Sequence, residues 1–164
     1  MPTDYDIEHG VKDLVHDYTT LVLTGEGIPR GVPEPWNGPV EQSFLVSIRK
    51  FVDFFMNRRK FPDDMIAEDY VGGSVSFSFP TWKGEEWEKF HNTHLFHLSY
   101  GRVRNTRPWD GYRENVLFFD EIQAAWRKFL VQPPRFNAEF DRCIKAREEQ
   151  FEKIPNLSLA LNFR

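Results

Sequence analysis

Apolar residues recur at helical spacing in five stretches of the chain, and each stretch predicts an amphipathic helix. In the first stretch Val11, Leu14 and Tyr18 fall on one face, and in the second Phe44 and Phe51 do. Several such helices joined by modest loops pack most simply as an antiparallel bundle, so the predicted fold class is all-α, a bundle of about five helices. The predicted helices span approximately residues 5–23, 40–60, 85–103, 112–131 and 136–154.

Local signals set the predicted ends of these helices. Thr3 or Asp4 can accept hydrogen bonds from the free amides at the start of the first helix, and Gly25 can close it. Basic residues 58–60 crowd the end of the second helix, where the helix dipole favours positive charge. The acidic segment 62–70 then predicts a short turn of helix capped by an aspartate.

Two segments depart from the helical pattern. The region from Gly25 to Pro39 holds so many glycines and prolines that we predict a long loop. Between Gly72 and Thr81, Val75, Phe77 and Phe79 alternate with serines, a period of two that is typical of extended chain. Because a lone short strand has no partner elsewhere in the sequence, we predict an extended loop or a small hairpin arm there.

The composition predicts one globular domain over residues 1–164. Of the 164 residues, 40% are apolar and 28% are charged, which excludes both a disordered chain and a membrane-embedded one. Aromatic residues make up 16%, with 16 Phe and 5 Trp. Since these side chains bury large areas, we expect the core to be rich in aromatic rings.

Cysteine content and charge narrow the expected setting. Cys143 is the only cysteine, which excludes an internal disulfide and suits a reducing compartment. The first residues are acidic and lack an apolar signal segment, and no run of about eighteen apolar residues occurs. We therefore expect a cytoplasmic protein with no membrane association. The formal net charge of −4 argues against general coating of nucleic acid.

Three of the five histidines, His91, His94 and His97, follow one another at intervals of three on the predicted third helix. At that spacing the rings fan across one side of the helix. The simplest interpretation is structural: half-buried histidines hydrogen-bonded to a carboxylate such as Asp53 or the Asp63/Asp64 turn. On this interpretation no cofactor is expected.

A metal site is a second interpretation of the same stretch. Glu88 precedes His91 by three residues, and Asp13 precedes His16 by three, spacings found in carboxylate-bridged centres of helical bundles. Such centres need two Glu-x-x-His pairs and further carboxylates, and the sequence supplies one pair and one Asp variant. Glu88, His91 and His94 are accordingly the alternative metal ligands, and the first expectation remains no metal.

Arginines and aromatic residues alternate directly after these histidines. Tyr100, Arg102, Arg104 and Arg107 could hold phosphates and stack on bases. In the competing interpretation the arginines satisfy the last carbonyls of a helix and the rings pack inward. The acidic charge of the whole chain favours the second interpretation, because carboxylate partners are plentiful.

Three stretches of the chain carry a resemblance to a known family. They are Glu41–Phe55 (EQSFLVSIRKFVDFF), Asp63–Tyr70 (DDMIAEDY) and Asn92–Tyr100 (NTHLFHLSY), and together they resemble bacterial HEPN-like helical proteins, closest to the abortive-infection subgroup. The resemblance implies a helical bundle that forms homodimers, binds a nucleotide or RNA, and works in prokaryotic defence or a toxin–antitoxin pair. Many members are metal-independent ribonucleases.

The resemblance also implies roles for particular residues. His97 corresponds to the histidine that moves a proton in the family's reaction, and Asn92 to the polar residue that assists it. The family's motif arginine is replaced here, by His91 or by Asn92 itself, and neither can clamp a phosphate as a guanidinium does. The implied activity is therefore that of a catalytically degenerate module. Arg102 or Arg49 could then contact phosphate from the dimer partner.

Two alternatives to this function stay open. One is a structural or protein-interaction bundle with no ligand. The other is the metal-binding bundle built on the glutamate and histidines of the third helix. A ribonuclease is expected only if another residue compensates for the missing arginine.

Overall fold

The computed structural model describes residues 3–27, 37–81, 84, 111–132 and 136–153. In this part of the chain the fold is all-α, as predicted, with no β-strand among the residues described. The helix predicted over 85–103 lies outside it. The helices are α1 (Asp4–Gly27), α2 (Asn37–Phe55), α3 (Ala67–Val71), α4 (Gly111–Val131) and α5 (Asn137–Glu152). α1 packs against α2, α4 and α5, and α2 packs against α4.

The start of α1 confirms the predicted threonine cap. The hydroxyl of Thr3 accepts a hydrogen bond from the backbone N–H of Asp6 at 3.2 Å. The Asp6 carboxylate in turn accepts the backbone N–H of Thr3 at 2.8 Å. This reciprocal pair is a capping box in which aspartate takes the place of glutamate. The bonds from Thr3 lower the pKa of Asp6, because they favour its charged form.

The predicted end of α1 at Gly25 is wrong. The helix continues to Gly27, and Gly25 is buried inside it. A Cβ atom at Gly25 would lie 2.8 Å from Cζ of Phe119 on α4. Gly25 therefore serves the close approach of α1 to α4 and does not terminate the helix.

Replacing Gly25 by alanine should consequently destabilise the protein, although alanine is the better helix former. The gain in helix propensity is about 1 kcal/mol. Overpacking against the ring of Phe119 costs about 1–3 kcal/mol, so we expect a net loss in thermal denaturation. Gly27→Ala is the matched control, because nothing lies within 4 Å of its Cβ position. Equal melting temperatures for the two variants would contradict the close packing.

α2 ends at Phe55, five residues earlier than the charge pattern predicted. Asn57 adopts a left-handed conformation with φ of 54°. The N–H of Arg58 bonds the carbonyl of Asp53 at 2.9 Å, and the N–H of Asn57 bonds that of Phe54 at 3.2 Å. This is a Schellman motif with asparagine at the left-handed position. Residues 58–60 therefore follow the helix as a loop and do not form its last turn.

The acidic segment also differs from its prediction. Residues 61–64 form a turn closed by a bond from the N–H of Asp64 to the carbonyl of Phe61, 3.1 Å long. α3 begins only at Ala67, with Ile66 and not an aspartate at its N-cap. Asp69 reaches back to the N–H of Ile66 at 3.4 Å. The helix is shorter than predicted because residues 62–64, where the predicted helix began, form the preceding turn instead.

Residues 74–79 form an irregular loop, which confirms one of the two structures predicted for this segment. Phe77 and Phe79 are buried while Ser76 and Ser78 are exposed, so the period of two reflects a chain lying along the bundle. The ring of Phe77 packs 4.7 Å from that of Phe55. Lys128 of α4 also donates a hydrogen bond to the carbonyl of Ser76 at 3.2 Å. Contacts with α2 and α4 therefore hold the segment in place without a neighbouring strand.

The core is rich in aromatic rings, as the composition predicted. Trp126 on α4 is fully buried and stacks on Tyr18 of α1 with ring centres 4.1 Å apart. Phe51 of α2 and Phe140 of α5 meet the same indole edge-on, at 5.9 and 6.2 Å. Rings from three other helices therefore converge on this side chain of α4. Burial raises the pKa of Tyr18 well above its ordinary value.

Candidate functional site

Most of the residues that the sequence singled out lie outside the described part of the chain. Their roles stay predictions, and so does the structural interpretation of the three histidines. They are the proposed catalytic residues His97 and Asn92, the proposed nucleic-acid contacts Tyr100, Arg102, Arg104 and Arg107, and the alternative metal ligands Glu88, His91 and His94.

Arg49 is described, and its surroundings do not fit the predicted contact to a phosphate across a dimer. The residue is 7% exposed. Its Nε donates to Oδ2 of Asp53 at 2.8 Å. A buried and paired guanidinium does not face outward to another chain. Its role in the monomer is to hold Asp53.

Asp13 and His16, the weaker pair of the metal interpretation, both lie exposed on α1. The Nδ1 atom of His16 lies 2.8 Å from a guanidinium nitrogen of Arg147 on α5. Across the described residues, no group of three or more His, Cys, Asp or Glu side chains is placed to hold a metal ion. Asp13 and His16 thus form no metal site with the neighbours that are described.

An open cleft lies between α1, α2 and the loop of residues 58–65, and we call it the 58–65 cleft. Its volume is about 340 Å³. Leu14 and Phe51 contribute apolar surface from the two helices. Phe61 and Met65 stand at the loop side, and Phe61 keeps 65% of its surface exposed. An exposed ring beside an apolar floor is suited to a flat apolar group.

Charged side chains of both signs line this cleft. The carboxylate of Asp53 lies 2.8 Å from Arg49, 3.4 Å from Lys60 and 3.8 Å from Arg58. Lys50 forms a separate pair with a carboxylate of α1. The cations that line the cleft are Lys50, Arg58 and Lys60, and the carboxylates are Asp17, Asp53 and Asp64.

The lysine side chains of the cleft are more exposed than the aspartate side chains with which they pair. The side chains of Lys50 and Lys60 are 55% and 52% exposed, whereas those of Asp17 and Asp53 are 29% and 23% exposed. Asp64, the third carboxylate of the cleft, accepts the backbone N–H groups of Lys60 and Phe61 at 2.8 Å each. The two lysines thus stand at the mouth, and the carboxylates are recessed or engaged by the backbone.

Two anchors hold the loop in position. The guanidinium of Arg59 contacts both carboxylate oxygens of Asp69 at 2.6 Å and donates to the carbonyl of Pro62 at 3.1 Å. Asn57 donates to the carbonyl of Val75 at 2.9 Å. These bonds fix the start of the loop against α3 and the following segment. They hold this side of the cleft in place without a ligand.

Sequence reasoning missed this site because it assigned residues 58–60 to the end of a helix. Two signals in the chain could have found it. Arg49 and Asp53 stand four apart, a spacing at which opposite charges meet on a helix. Asn57 and Pro62 bracket the basic run, and both residues favour a break in the helix.

Comparisons with known proteins give this site no counterpart. Neither the scan against protein-family models nor the searches of curated proteins and of solved structures found a match. Among the described helices, none is both long and apolar enough to cross a membrane.

Proposed function

We propose that this chain is a HEPN-like helical module that binds a nucleotide in the 58–65 cleft and is catalytically degenerate. The observation that carries the proposal is the pair of exposed lysines, Lys50 and Lys60, beside an apolar floor. The resemblance supports it, because two of the three similar stretches, 41–55 and 63–70, contribute side chains to this cleft. Homodimer formation and a role in prokaryotic defence belong to the same proposal and rest on the resemblance.

The two parts of a nucleotide suit the two parts of the cleft. The phosphate meets Lys50 and Lys60, whose ammonium groups offer point charges. The base lies on the floor beside Phe61, and stacking of a base on an aromatic ring is worth about 1–3 kcal/mol. A cleft of about 340 Å³ is of a size that takes small ligands.

Titration with adenosine monophosphate, followed by calorimetry, tests this proposal. Phe61→Ala removes the stacking surface and Lys60→Ala removes a phosphate contact, and each should weaken binding about tenfold. Both side chains are largely exposed, so neither variant should impair folding. Increasing salt should weaken binding of the wild type more than that of Lys60→Ala.

Matched controls come from exposed residues elsewhere. Leu117 on α4 is 59% exposed and Lys145 on α5 is exposed, and neither lines the cleft. Leu117→Ala and Lys145→Ala should therefore bind the nucleotide as the wild type does. The proposal would be overturned if the wild type did not bind adenosine monophosphate. It would also be overturned if Phe61→Ala and Lys60→Ala bound it with the affinity of the wild type.

A ribonuclease assay addresses the catalytic part separately. Because the motif arginine is missing, the wild type and His97→Ala should degrade a single-stranded RNA at the same background rate. Faster decay with the wild type would show that His97 acts in catalysis. That result would leave nucleotide binding in the cleft unaffected, because the two parts have different readouts.

A protein-interaction bundle is the second candidate function. It is favoured by the exposure of Phe61 and Met65 at the edge of the cleft, 65% and 40%. Apolar side chains exposed together often mark a contact surface. The same nucleotide titration separates the two functions, since a bundle that only binds proteins should give no heat with adenosine monophosphate.

A further inference from the structure

A second groove lies on the other side of α1, where α1 faces α5, and we call it the α1–α5 groove. Its volume is about 490 Å³. Lys12 lines it from α1, and Arg142, Cys143, Arg147 and Gln150 line it from α5. None of these residues belongs to the 58–65 cleft. The groove is thus a separate concavity that the proposed function does not use.

Among the described residues, Arg147 pairs with no carboxylate. Its guanidinium donates to the side-chain oxygen of Gln150 at 2.9 Å and contacts Nδ1 of His16 at 2.8 Å. Because a guanidinium only donates, Nδ1 is the acceptor in the second contact. Neither partner carries a negative charge.

Lys12 adds a second uncompensated charge. Among the described residues, no carboxylate lies within ion-pair distance of its ammonium group. Lys12 and His16 stand four residues apart and so share one face of α1. Arg142 differs, because Glu139 pairs with it through both carboxylate oxygens. Two of the three permanent cations in the groove, Lys12 and Arg147, therefore pair with no carboxylate of the described residues.

No thiolate reduces this positive charge. Burial raises the pKa of Cys143, and its hydrogen bond to Glu139 raises the pKa further. The thiol accordingly stays protonated near neutral pH. Glu139 itself is held by Arg142, and the pKa of Glu139 is lowered by that bond. The donors of the groove that pair with no carboxylate of the described residues are thus those of Lys12 and Arg147.

We propose that the α1–α5 groove binds a phosphate group. A phosphate ester carries a charge of about −1.5 to −2 near neutral pH, which two uncompensated cations balance. The planar fork of Arg147 can engage two phosphate oxygens at once, and Lys12 supplies a point charge. The phosphate could belong to a small polyphosphate or to the backbone of a nucleic-acid strand, since both present the same group.

Nuclear magnetic resonance of the His16 ring tests the site directly. Pyrophosphate should be titrated into the Lys60→Ala protein at low salt, so that the 58–65 cleft contributes little binding. We expect saturable shifts of the His16 ring signals, identified by their loss in His16→Gln. Arg147→Gln and Lys12→Gln should each weaken the binding about tenfold. Lys145→Gln, which removes an exposed charge of α5 outside the groove, should not change it.

The outcomes separate this site from the proposed function. Shifts of His16 that are lost in Arg147→Gln support the groove even if the protein does not bind adenosine monophosphate. No shift of His16 with pyrophosphate, or equal affinity in Arg147→Gln, would overturn it. A parallel titration with an eight-nucleotide single strand identifies the source. Tighter binding of the strand at the same ring signals assigns the phosphate to a nucleic acid, and binding of pyrophosphate alone assigns it to a small polyphosphate.

Discussion

Trp126→Ala should lower the free energy of unfolding by about 3–5 kcal/mol. The indole is fully buried on α4 and stacks on Tyr18 of α1. It also contacts Phe51 of α2 and Phe140 of α5, so its removal leaves a cavity that four helices line. Small domains are stable by about 5–15 kcal/mol, and the loss is therefore a large share of the total.

Urea denaturation followed by circular dichroism measures this effect. Trp126→Phe should cost much less, because the ring contacts are largely kept. The indole N–H has no hydrogen-bond partner among the described residues, so replacing it leaves no acceptor unsatisfied there. Leu117→Ala, on the exposed side of the same helix, should stay within about 0.5 kcal/mol of the wild type. A loss below 1 kcal/mol for Trp126→Ala would contradict the packing of α4 onto the other three helices.

The sequence was most informative about which faces of the helices are buried. In α2 the two predicted core positions, Phe44 and Phe51, are both buried. In α1 Val11, Leu14 and Tyr18 are likewise buried, as predicted. Periodicity predicts burial well because each residue's direction from the helix axis follows from its number alone.

The ends of the helices were predicted less well, because they depend on contacts from elsewhere in the chain. A glycine near the end of an apolar stripe usually closes a helix, but Gly25 is needed where the Phe119 ring approaches. A basic run usually favours a last helical turn, but Asn57 ends α2 before the run begins. In both places a tertiary contact outweighs the local preference.

The two candidate sites could not be predicted from local sequence patterns, because each combines residues from distant parts of the chain. The 58–65 cleft needs α1, α2 and the loop together, so its residues have no common spacing in the sequence. In the α1–α5 groove, His16 and Arg147 are 131 positions apart. What the sequence did supply is the inventory of charges. Only the fold shows that, in the described part of the chain, neither Lys12 nor Arg147 pairs with a carboxylate.

Asn57→Ala should destabilise the protein by about 2–4 kcal/mol. Its side-chain oxygen accepts the N–H of Glu68 at 3.0 Å, and its amide nitrogen donates to the carbonyl of Val75 at 2.9 Å. Removing the side chain leaves both backbone groups without these partners. Alanine must also adopt a φ of 54°, which costs about 1–2 kcal/mol for a residue with a Cβ. Urea denaturation provides the measurement.

Asn57→Gly separates the two causes, because glycine accepts the left-handed conformation but makes neither side-chain bond. It should recover part of the stability lost in Asn57→Ala, and equal losses would show that backbone conformation contributes nothing. Since Asn57 anchors the loop that forms the cleft, both variants should also bind adenosine monophosphate more weakly than the wild type. Binding of pyrophosphate in the α1–α5 groove should be unchanged, because that groove shares no residue with the loop. Weakening at both sites would mean that Asn57 acts through the whole fold and not through the loop.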